Sequence, residues 1–189
     1  MKKSGIVIGL VVLAVIAMSL IGTYNRLVNL DNEVETQWAQ IDNQLKRRAD
    51  LIPNLVNTVR GFAAQEKDIM TAIADSRARL AGAASPAEAA EADAELTGAL
   101  GRLLVIVENY PDLKSDQTFI RLMDELSGTE NRISVARKDY NETVRDYNLA
   151  VRTFPTNLIA PIMGFEKAEF FEISESDRET PEVDFGNDE

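Results

Sequence analysis

The first 25 residues contain an uncharged run that continues without interruption into an amphipathic pattern. Residues 4–25 carry no charged side chain, and Gly5–Gly22 consists almost entirely of Ile, Val, Leu, Ala, Met and Gly. At about 1.5 Å per residue this run measures roughly 27 Å, close to the roughly 30 Å hydrocarbon core of a bilayer. No proline or acidic residue separates it from Tyr24. The pattern predicts a short basic N-terminus over residues 1–4, then a transmembrane helix over residues 5–23 that continues into a helical body.

A cleavable signal peptide is the alternative for this segment. Lys2 and Lys3 form a basic start, and Ala17 ends a passable cleavage site. However, the apolar run continues five residues past Ala17, to Gly22, where a signal peptide should turn polar. A retained anchor is therefore favoured.

The basic residues that flank the apolar run predict its orientation. Lys2 and Lys3 precede it, whereas only Arg26 lies within the 20 residues that follow Gly22. Because the flank richer in Lys and Arg stays in the cytoplasm, the N-terminus is expected inside and the body outside the inner membrane.

The formal net charge of −11 is unevenly distributed along the chain. Residues 172–189 contain eight acidic residues and a single basic one, Arg178. We interpret residues 173–189 as a disordered acidic tail that keeps the protein soluble, in preference to a docking segment for a basic partner. Nucleic acid is not an expected partner, because the body is acidic and has no basic stripe.

The body begins with apolar residues at helical spacing. The first stripe is Leu27, Leu30, Val34, Trp38, Ile41 and Leu45. A second stripe continues it with Leu51, Leu55, Val59, Phe62, Ile69 and Ile73. Pro53 follows a potential capping residue, Asp50, between the two. Residues 24–81 are therefore predicted as one long helix with either a kink or a short break near Asp50–Pro53.

Two further helices follow a clear interruption at residues 82–85. Ser85, Pro86 and Glu88 form a capping box that predicts a helix from Pro86 to about Asn109. Its predicted apolar face is Leu96, Leu100, Leu103, Leu104 and Val107. After Ser115 or Asp116 as cap, the last helix carries a coiled-coil-like stripe: Phe119, Leu122, Leu126, Thr129, Ile133, Ala136, Tyr140, Val144, Tyr147, Val151 and Phe154. Pro155 and Pro161 end it, and residues 164–171 are expected to pack back on the bundle.

These patterns together predict an all-α fold. Long stripes joined by short turns favour an elongated antiparallel bundle of three to four long helices over residues 24–172. No alternation of strands and helices and no hairpin signal is present in the sequence.

The residue types needed for most catalytic sites are missing. The chain has no His and no Cys, so a transition-metal site would need oxygen ligands alone. No His can serve as general base for a Ser or Thr nucleophile, and no phosphate-binding glycine loop occurs. We expect no cofactor, no metal and no enzymatic activity.

Polar residues beside the apolar stripes are the remaining candidates for a site. They are Asn54, Asn57, Arg60, Glu108, Asn109, Glu130, Asn131, Arg132, Tyr140, Asn141, Tyr147 and Asn148. They are interpreted as buried groups that fix the register of the bundle, with Asn141 and Asn148 bonding to a neighbouring helix at Asn54, Asn57 or Arg60. A polar groove for a partner is the alternative.

The sequence resembles the LemA family over roughly residues 6–172. The resemblance rests on Glu108-Asn-Tyr-Pro-Asp-Leu-Lys, Thr129-Glu-Asn-Arg-Ile, the Tyr140-Asn and Tyr147-Asn pairs, and Asp50-Leu-Ile-Pro-Asn-Leu-Val. Arg47-Arg48, Phe119–Leu126, Ala136-Arg, Phe154-Pro, Gly164-Phe and Phe170-Phe-Glu also match. The resemblance implies a bacterial single-pass membrane protein with an elongated helical bundle and no established biochemical role. Accounts of the family often place the short N-terminus outside, against the orientation that Lys2 and Lys3 predict, which we keep.

The combined expectation is a non-enzymatic scaffold or interaction module anchored in the bacterial inner membrane. Its expected partners are the membrane and either further copies of the chain or other envelope proteins. The alternative is an envelope enzyme or accessory subunit that uses carboxylate chemistry, which would need a concave pocket where several acidic side chains converge.

Overall fold

The regular secondary structure of the described residues is entirely helical. The computed structural model describes residues 2–172, so the predicted acidic tail over residues 173–189 lies outside the described residues. The helices are α1 (Lys2–Phe62), α2 (Lys67–Gly82), α3 (Pro86–Val107), α4 (Pro111–Lys114), α5 (Gln117–Arg152) and α6 (Thr156–Ile159), followed by a 3₁₀ turn (Pro161–Met163). The predicted all-α bundle is confirmed.

The chain forms two compact units, and α1 and α5 contribute residues to both. The first unit contains the residues up to Asn43 together with Ile133–Phe170. The second contains Gln44–Arg132 and, of the residues that follow Phe170, the described Phe171 and Glu172.

Helices α1 and α5 run antiparallel within each unit. In the first unit the Trp38 ring lies 5.8 Å from the Tyr140 ring, and Asp31 interacts with the Tyr147 hydroxyl. Moving seven residues toward the N-terminus of α1 thus moves the contact seven residues toward the C-terminus of α5. In the second unit, contacts of Gln44 with Arg132 and of Arg47 with Glu125 follow the same direction.

The N-terminal part of α1 is apolar and uncovered by the described part of the chain. An 18-residue window of this helix has a mean hydropathy of 2.4, and none of it is buried. Val7, Leu10 and Leu13 are each more than half exposed. By length and composition this helix could cross a membrane, and it lacks the burial of a core helix.

The predicted stripes form most of the core. Buried positions on α1 include Leu27, Val34, Ile41, Leu45, Leu55 and Val59. Those on α5 include Phe119, Leu126, Thr129, Ile133, Tyr140, Val144, Tyr147 and Val151. Since these positions are separated by three or four residues or by sums of such steps, local periodicity identified them correctly.

Three residues assigned to the apolar stripes are exposed. Phe62 is 43% exposed at the end of α1, where Ala63 occupies the buried position instead. Leu104 is 46% exposed because it is turned about 100° from the fully buried Leu103. Phe154 is 75% exposed because α5 ends at Arg152, so the helical spacing no longer applies.

Of the two alternatives predicted near Asp50–Pro53, a kink or a short break, the break is absent, because α1 continues through Pro53 to Phe62. Proline has no N–H, so it leaves the carbonyl of the residue four positions earlier, Ala49, without its helical partner. Arg77 on α2 supplies the missing donor, because its Nε donates to the Ala49 carbonyl at 2.8 Å. Ala49 is buried, so without the bond from Arg77 its carbonyl would lack a donor away from water, which would lower the stability of the fold.

The first helix is instead interrupted at residues 63–66. The Ala63 N–H still bonds to the Val59 carbonyl at 2.8 Å, and the turn then closes with Glu66 N–H on the Ala63 carbonyl at 3.1 Å. The Tyr110 hydroxyl donates to Glu66 at 2.7 Å and accepts from Gln65 at 2.8 Å. The bond to Glu66 raises the pKa of Tyr110 above its usual value.

The predicted helix starts at Ser85 and at Asp116 are present. The Ser85 hydroxyl accepts from the Glu88 N–H at 3.3 Å, and the Glu88 carboxylate accepts from the Ala84 N–H at 2.8 Å. Of the two candidate caps before α5, Asp116 is the one used, since its carboxylate accepts from the Phe119 N–H at 2.8 Å. Helix α3 ends at Val107, two residues before the predicted end.

The role of Arg77 can be tested with a double-mutant cycle. Arg77→Met should lower the free energy of unfolding by about 1–3 kcal/mol, because it leaves a buried carbonyl without a donor. In a Pro53→Ala background the restored backbone N–H should satisfy Ala49, so the same change should cost clearly less. Urea unfolding of the four proteins measures this difference.

The matched control is Arg79→Met on the same helix. Arg79 forms an exposed ion pair with Glu95, which should contribute less than about 1 kcal/mol. An equal cost for Arg77→Met in both backgrounds would show that Arg77 does not replace the bond lost at Pro53.

Candidate functional site

The second unit contains a buried charged cluster centred on Arg48, which is only 2% exposed. Its Nη1 lies 2.5 Å from Asp93 Oδ1 on α3 and 2.5 Å from Glu130 Oε2 on α5. Its Nη2 donates to the Thr97 hydroxyl at 2.9 Å. Arg48 on α1 therefore holds α3 and α5 through charge-assisted contacts in a region shielded from water.

The positions of Arg48 and Asp93 in the sequence indicate this cluster. The candidate residues were chosen at the edges of the apolar stripes and therefore did not include these two. Arg48 lies three residues after Leu45 and four before Ile52, so it occupies a position of the apolar stripe itself. Asp93 lies four residues after Ala89 and three before Leu96, so it also occupies a buried position at helical spacing on α3. Two opposite charges at core positions of different helices predict a buried pair. Of this cluster, only Glu130 was among the sequence candidates.

The first unit contains a second polar cluster, which fastens the C-terminal segment to α5. The Tyr140 hydroxyl donates to the Glu169 carbonyl at 2.8 Å. Asn148 makes two bonds to the main chain of Ala168, donating at 3.0 Å and accepting at 2.9 Å. Phe165 is also buried, so the expectation that residues 164–171 pack back is confirmed.

Both tyrosines of α5 are held in their neutral form. Burial raises the pKa of Tyr140 to about 12. Burial, with a further contribution from Asp31, raises the pKa of Tyr147 to about 12. The folded state therefore binds these protons more tightly than the unfolded chain, whose tyrosine pKa is about 10. Their contribution to stability is complete below pH 10 and is lost as the pH rises toward 12.

Most of the other candidate residues are on the surface. Asn54, Asn57, Arg60, Glu108, Asn109, Asn131 and Arg132 are exposed. The interpretation that these seven residues are buried and fix the register of the bundle is therefore wrong. The apolar stripe fills the interface between helices, so residues at its edge face water. Asn141 is half-buried and has an interaction partner. Asn148 bonds to main-chain atoms of Ala168, where a side chain of residues 54–60 was expected.

Two open grooves of the second unit are lined by candidate residues. The larger, of about 550 Å³, combines the cations Arg60 and Lys67 with an apolar lining that includes Val56, Met70 and Ala74. It lies between the end of α1 and the first half of α2. Such a groove suits an acidic segment with an apolar side chain.

The smaller groove, of about 380 Å³, gathers three arginines and two acidic residues beside Gly128. They are Arg47, Arg121, Arg132, Asp124 and Glu125. Arg47 pairs with Glu125 at 3.0 Å, and both side chains are about half exposed. The arginines outnumber the carboxylates here, which is unfavourable for acid catalysis by paired carboxyl groups. Among residues 2–172, no three acidic side chains are grouped as metal ligands.

Adjacent arginines, one buried and one exposed, allow a controlled test of the charged cluster. Arg48→Met should lower the free energy of unfolding by about 3–5 kcal/mol, because it removes the cation that faces the buried carboxylate of Asp93 at 2.5 Å. Arg47→Met should cost about 1 kcal/mol or less, because its pair with Glu125 is exposed. Chemical unfolding of both variants provides the comparison.

A second change separates loss of the charge pair from loss of packing. Replacing both partners, Arg48→Met with Asp93→Leu, should recover part of the stability lost in Arg48→Met alone. If the double variant is no more stable than Arg48→Met alone, the loss in Arg48→Met does not come from the buried charge of Asp93.

Comparison with known proteins assigns the chain to a family. The chain is 30% identical to the magnetosome proteins MamQ 1 and MamQ 2 of Paramagnetospirillum magneticum, over 85% of this chain and 70% of each relative. It is 28% identical to the magnetosome protein MamQ of Magnetospirillum gryphiswaldense, over 81% of this chain and 66% of the relative. The protein LemA of Metamycoplasma hominis is 24% identical over 84% and 73% of the two chains. Since the sequence model of the LemA family also matches residues 37–185, this chain belongs to the LemA family.

Proposed function

We propose that this protein is a non-enzymatic scaffold anchored by α1 in the bacterial inner membrane. The observation that carries the proposal is the composition of α1, whose uncovered apolar N-terminal part continues as the same helix into the bundle. Because one helix contains both the apolar N-terminal part and part of the bundle, it supports a role in holding the folded bundle next to a membrane. The names of the relatives state no enzymatic activity.

The contacts of the two polar clusters support a structural role for their side chains rather than a catalytic one. Arg48, Asp93 and Glu130 engage one another, and Tyr140 and Asn148 engage the main chain of the C-terminal segment. Arg48 and Asp93 are buried, which shields them from a substrate, although Arg48 Nε and Glu130 Oε2 make no hydrogen bond within the described residues. The exposed surface offers the groove with Arg60 and Lys67, which has the character of a site for a protein segment.

The scaffold binds either further copies of the chain or other envelope proteins. Full-length protein in detergent should therefore run as an assembly larger than one chain, or should co-purify with a partner. Size-exclusion chromatography with light scattering measures the mass, and mild crosslinking in membranes before extraction preserves weak partners. A strict monomer without any crosslinked or co-purified protein would contradict the proposal.

Reversing a charge in the groove tests whether the partner binds there rather than elsewhere on the surface. Lys67→Glu should weaken partner capture severalfold if an acidic segment occupies the groove. Arg137→Glu changes an exposed charge on α5 outside the groove and should leave capture unaltered. Equal effects of the two variants would indicate only a change in net charge.

We further propose that the bundle is on the outer side of the inner membrane, with the N-terminus inside, as Lys2 and Lys3 indicate. The chain has no Cys, so single cysteines report topology without background. Gly186→Cys should react with a membrane-impermeant maleimide in intact spheroplasts, whereas Ser4→Cys should react only after lysis. The opposite pattern would reverse the orientation.

A further inference from the structure

Three large apolar side chains are exposed in the turn that follows α5. Phe154 is 75%, Leu158 61% and Ile162 84% exposed. They recur every fourth residue through α6 and the 3₁₀ turn, whereas Ala160 and Phe165 in the same region are buried. The turn therefore has an inner side that packs and an outer side that presents apolar surface. A cluster of this kind on an exposed surface marks an interaction site.

The turn lies at the level where α1 leaves its apolar N-terminal part. The Phe165 ring packs edge-on against the Tyr24 ring, with 5.8 Å between the ring centroids. The antiparallel register agrees, since Trp38 meets Tyr140 and Asp31 meets Tyr147. A further step of seven residues along α1 leads from Asp31 to Tyr24, and Tyr147 lies five residues before Arg152, where α5 ends and the turn begins.

The end of the apolar run locates the membrane surface at the same level. Tyr24 is two residues beyond Gly22, a rise of about 3 Å along the helix axis. It is 44% exposed, and tyrosine is typical of the boundary between hydrocarbon and water. Arg26 lies two residues after Tyr24, and Arg152 is the last residue of α5. Both arginines are exposed, and their positive charges suit contact with lipid phosphates. The exposed apolar turn thus lies beside a lipid surface whenever α1 spans the membrane.

We propose that Phe154, Leu158 and Ile162 insert into the interfacial layer of the bilayer that α1 crosses. This inference rests on the proposed anchoring by α1 and adds a second lipid contact to it. Burial of these side chains in lipid removes from water the apolar surface that the described part of the chain leaves uncovered. The occupant of the turn is therefore lipid rather than another protein, and the turn holds the first unit against the membrane.

Site-specific fluorescence on the full-length protein in liposomes tests this contact. Single cysteines at Leu158→Cys and Ile162→Cys are labelled with the environment-sensitive dye NBD, one site per protein, on a chain without other cysteines. The liposomes contain phospholipids that carry a nitroxide quencher at a shallow position of the acyl chain. Both sites should show a blue-shifted emission and severalfold stronger quenching than a site distant from the membrane.

Two further sites calibrate the measurement. Val12→Cys lies in the uncovered apolar part of α1, about 15 Å from Gly22, and reports the anchor itself in parallel liposomes whose nitroxide is at a deep acyl position. Val135→Cys is an equally exposed apolar position, at 62%, in the same unit. It is 17 residues before the end of α5, about 26 Å away along the helix, so it should remain unquenched.

The four sites separate failure of the inference from failure of the anchor. If Val12 is quenched while Leu158 and Ile162 behave like Val135, the turn does not enter lipid although the anchor stands. If Val12 is not quenched, the anchoring proposal fails, whatever the turn shows. A blue shift at Leu158 and Ile162 without lipid quenching would overturn the inference in favour of a second copy or another protein on the turn.

Discussion

Two consecutive residues of α1, Arg48 and Ala49, hold the second unit together. The guanidinium of Arg48 engages Asp93 of α3 and Glu130 of α5, while the carbonyl of Ala49 accepts a hydrogen bond from Arg77 of α2. Every long helix of this unit thus meets α1 within a single turn. Because both residues are buried, loss of either set of contacts would remove a partner from a polar group that is shielded from water. The α1 helix depends on the same contacts, since one of them replaces the backbone bond that Pro53 removes.

Continuity of α1 connects the fold to the proposed function. A break at Pro53 would have ended the first helix within the bundle, whereas the observed helix carries the apolar N-terminal part, core residues of both units and one wall of the groove with Arg60. The polar clusters are engaged internally, which favours a structural role for them. Among the described residues, the surfaces proposed to contact other molecules include a groove with two cations in the second unit and an apolar turn beside Tyr24 in the first.

Local sequence patterns were sufficient for some parts of the candidate site and insufficient for others. The return of residues 164–171 onto the bundle was predictable, because a short apolar segment after a helix end has little alternative to packing. The hydrogen-bond partner of Asn148 was not predictable, since an amide side chain can hydrogen-bond to any nearby main-chain or side-chain group. Arg48 and Asp93 were overlooked although both occupy stripe positions, because charged residues were sought at the stripe edges. The exposed candidates, such as Asn54 and Asn57, show that a polar residue next to an apolar stripe usually faces water.

The sequence by itself determined the helical class, the apolar N-terminal run, the cap at Ser85, a cap at either Ser115 or Asp116, and most of the core positions. Each of these follows from interactions between residues a few positions apart, which periodicity and capping chemistry record directly. Only the tertiary structure decided that α1 passes through Pro53 and is interrupted at residues 63–66. It also decided that Arg48 is buried whereas Arg47 is exposed. The physical reason is that a freed carbonyl or a buried charge is tolerated only when a distant residue satisfies it, and Arg77 and Asp93 become neighbours of α1 only in the folded chain.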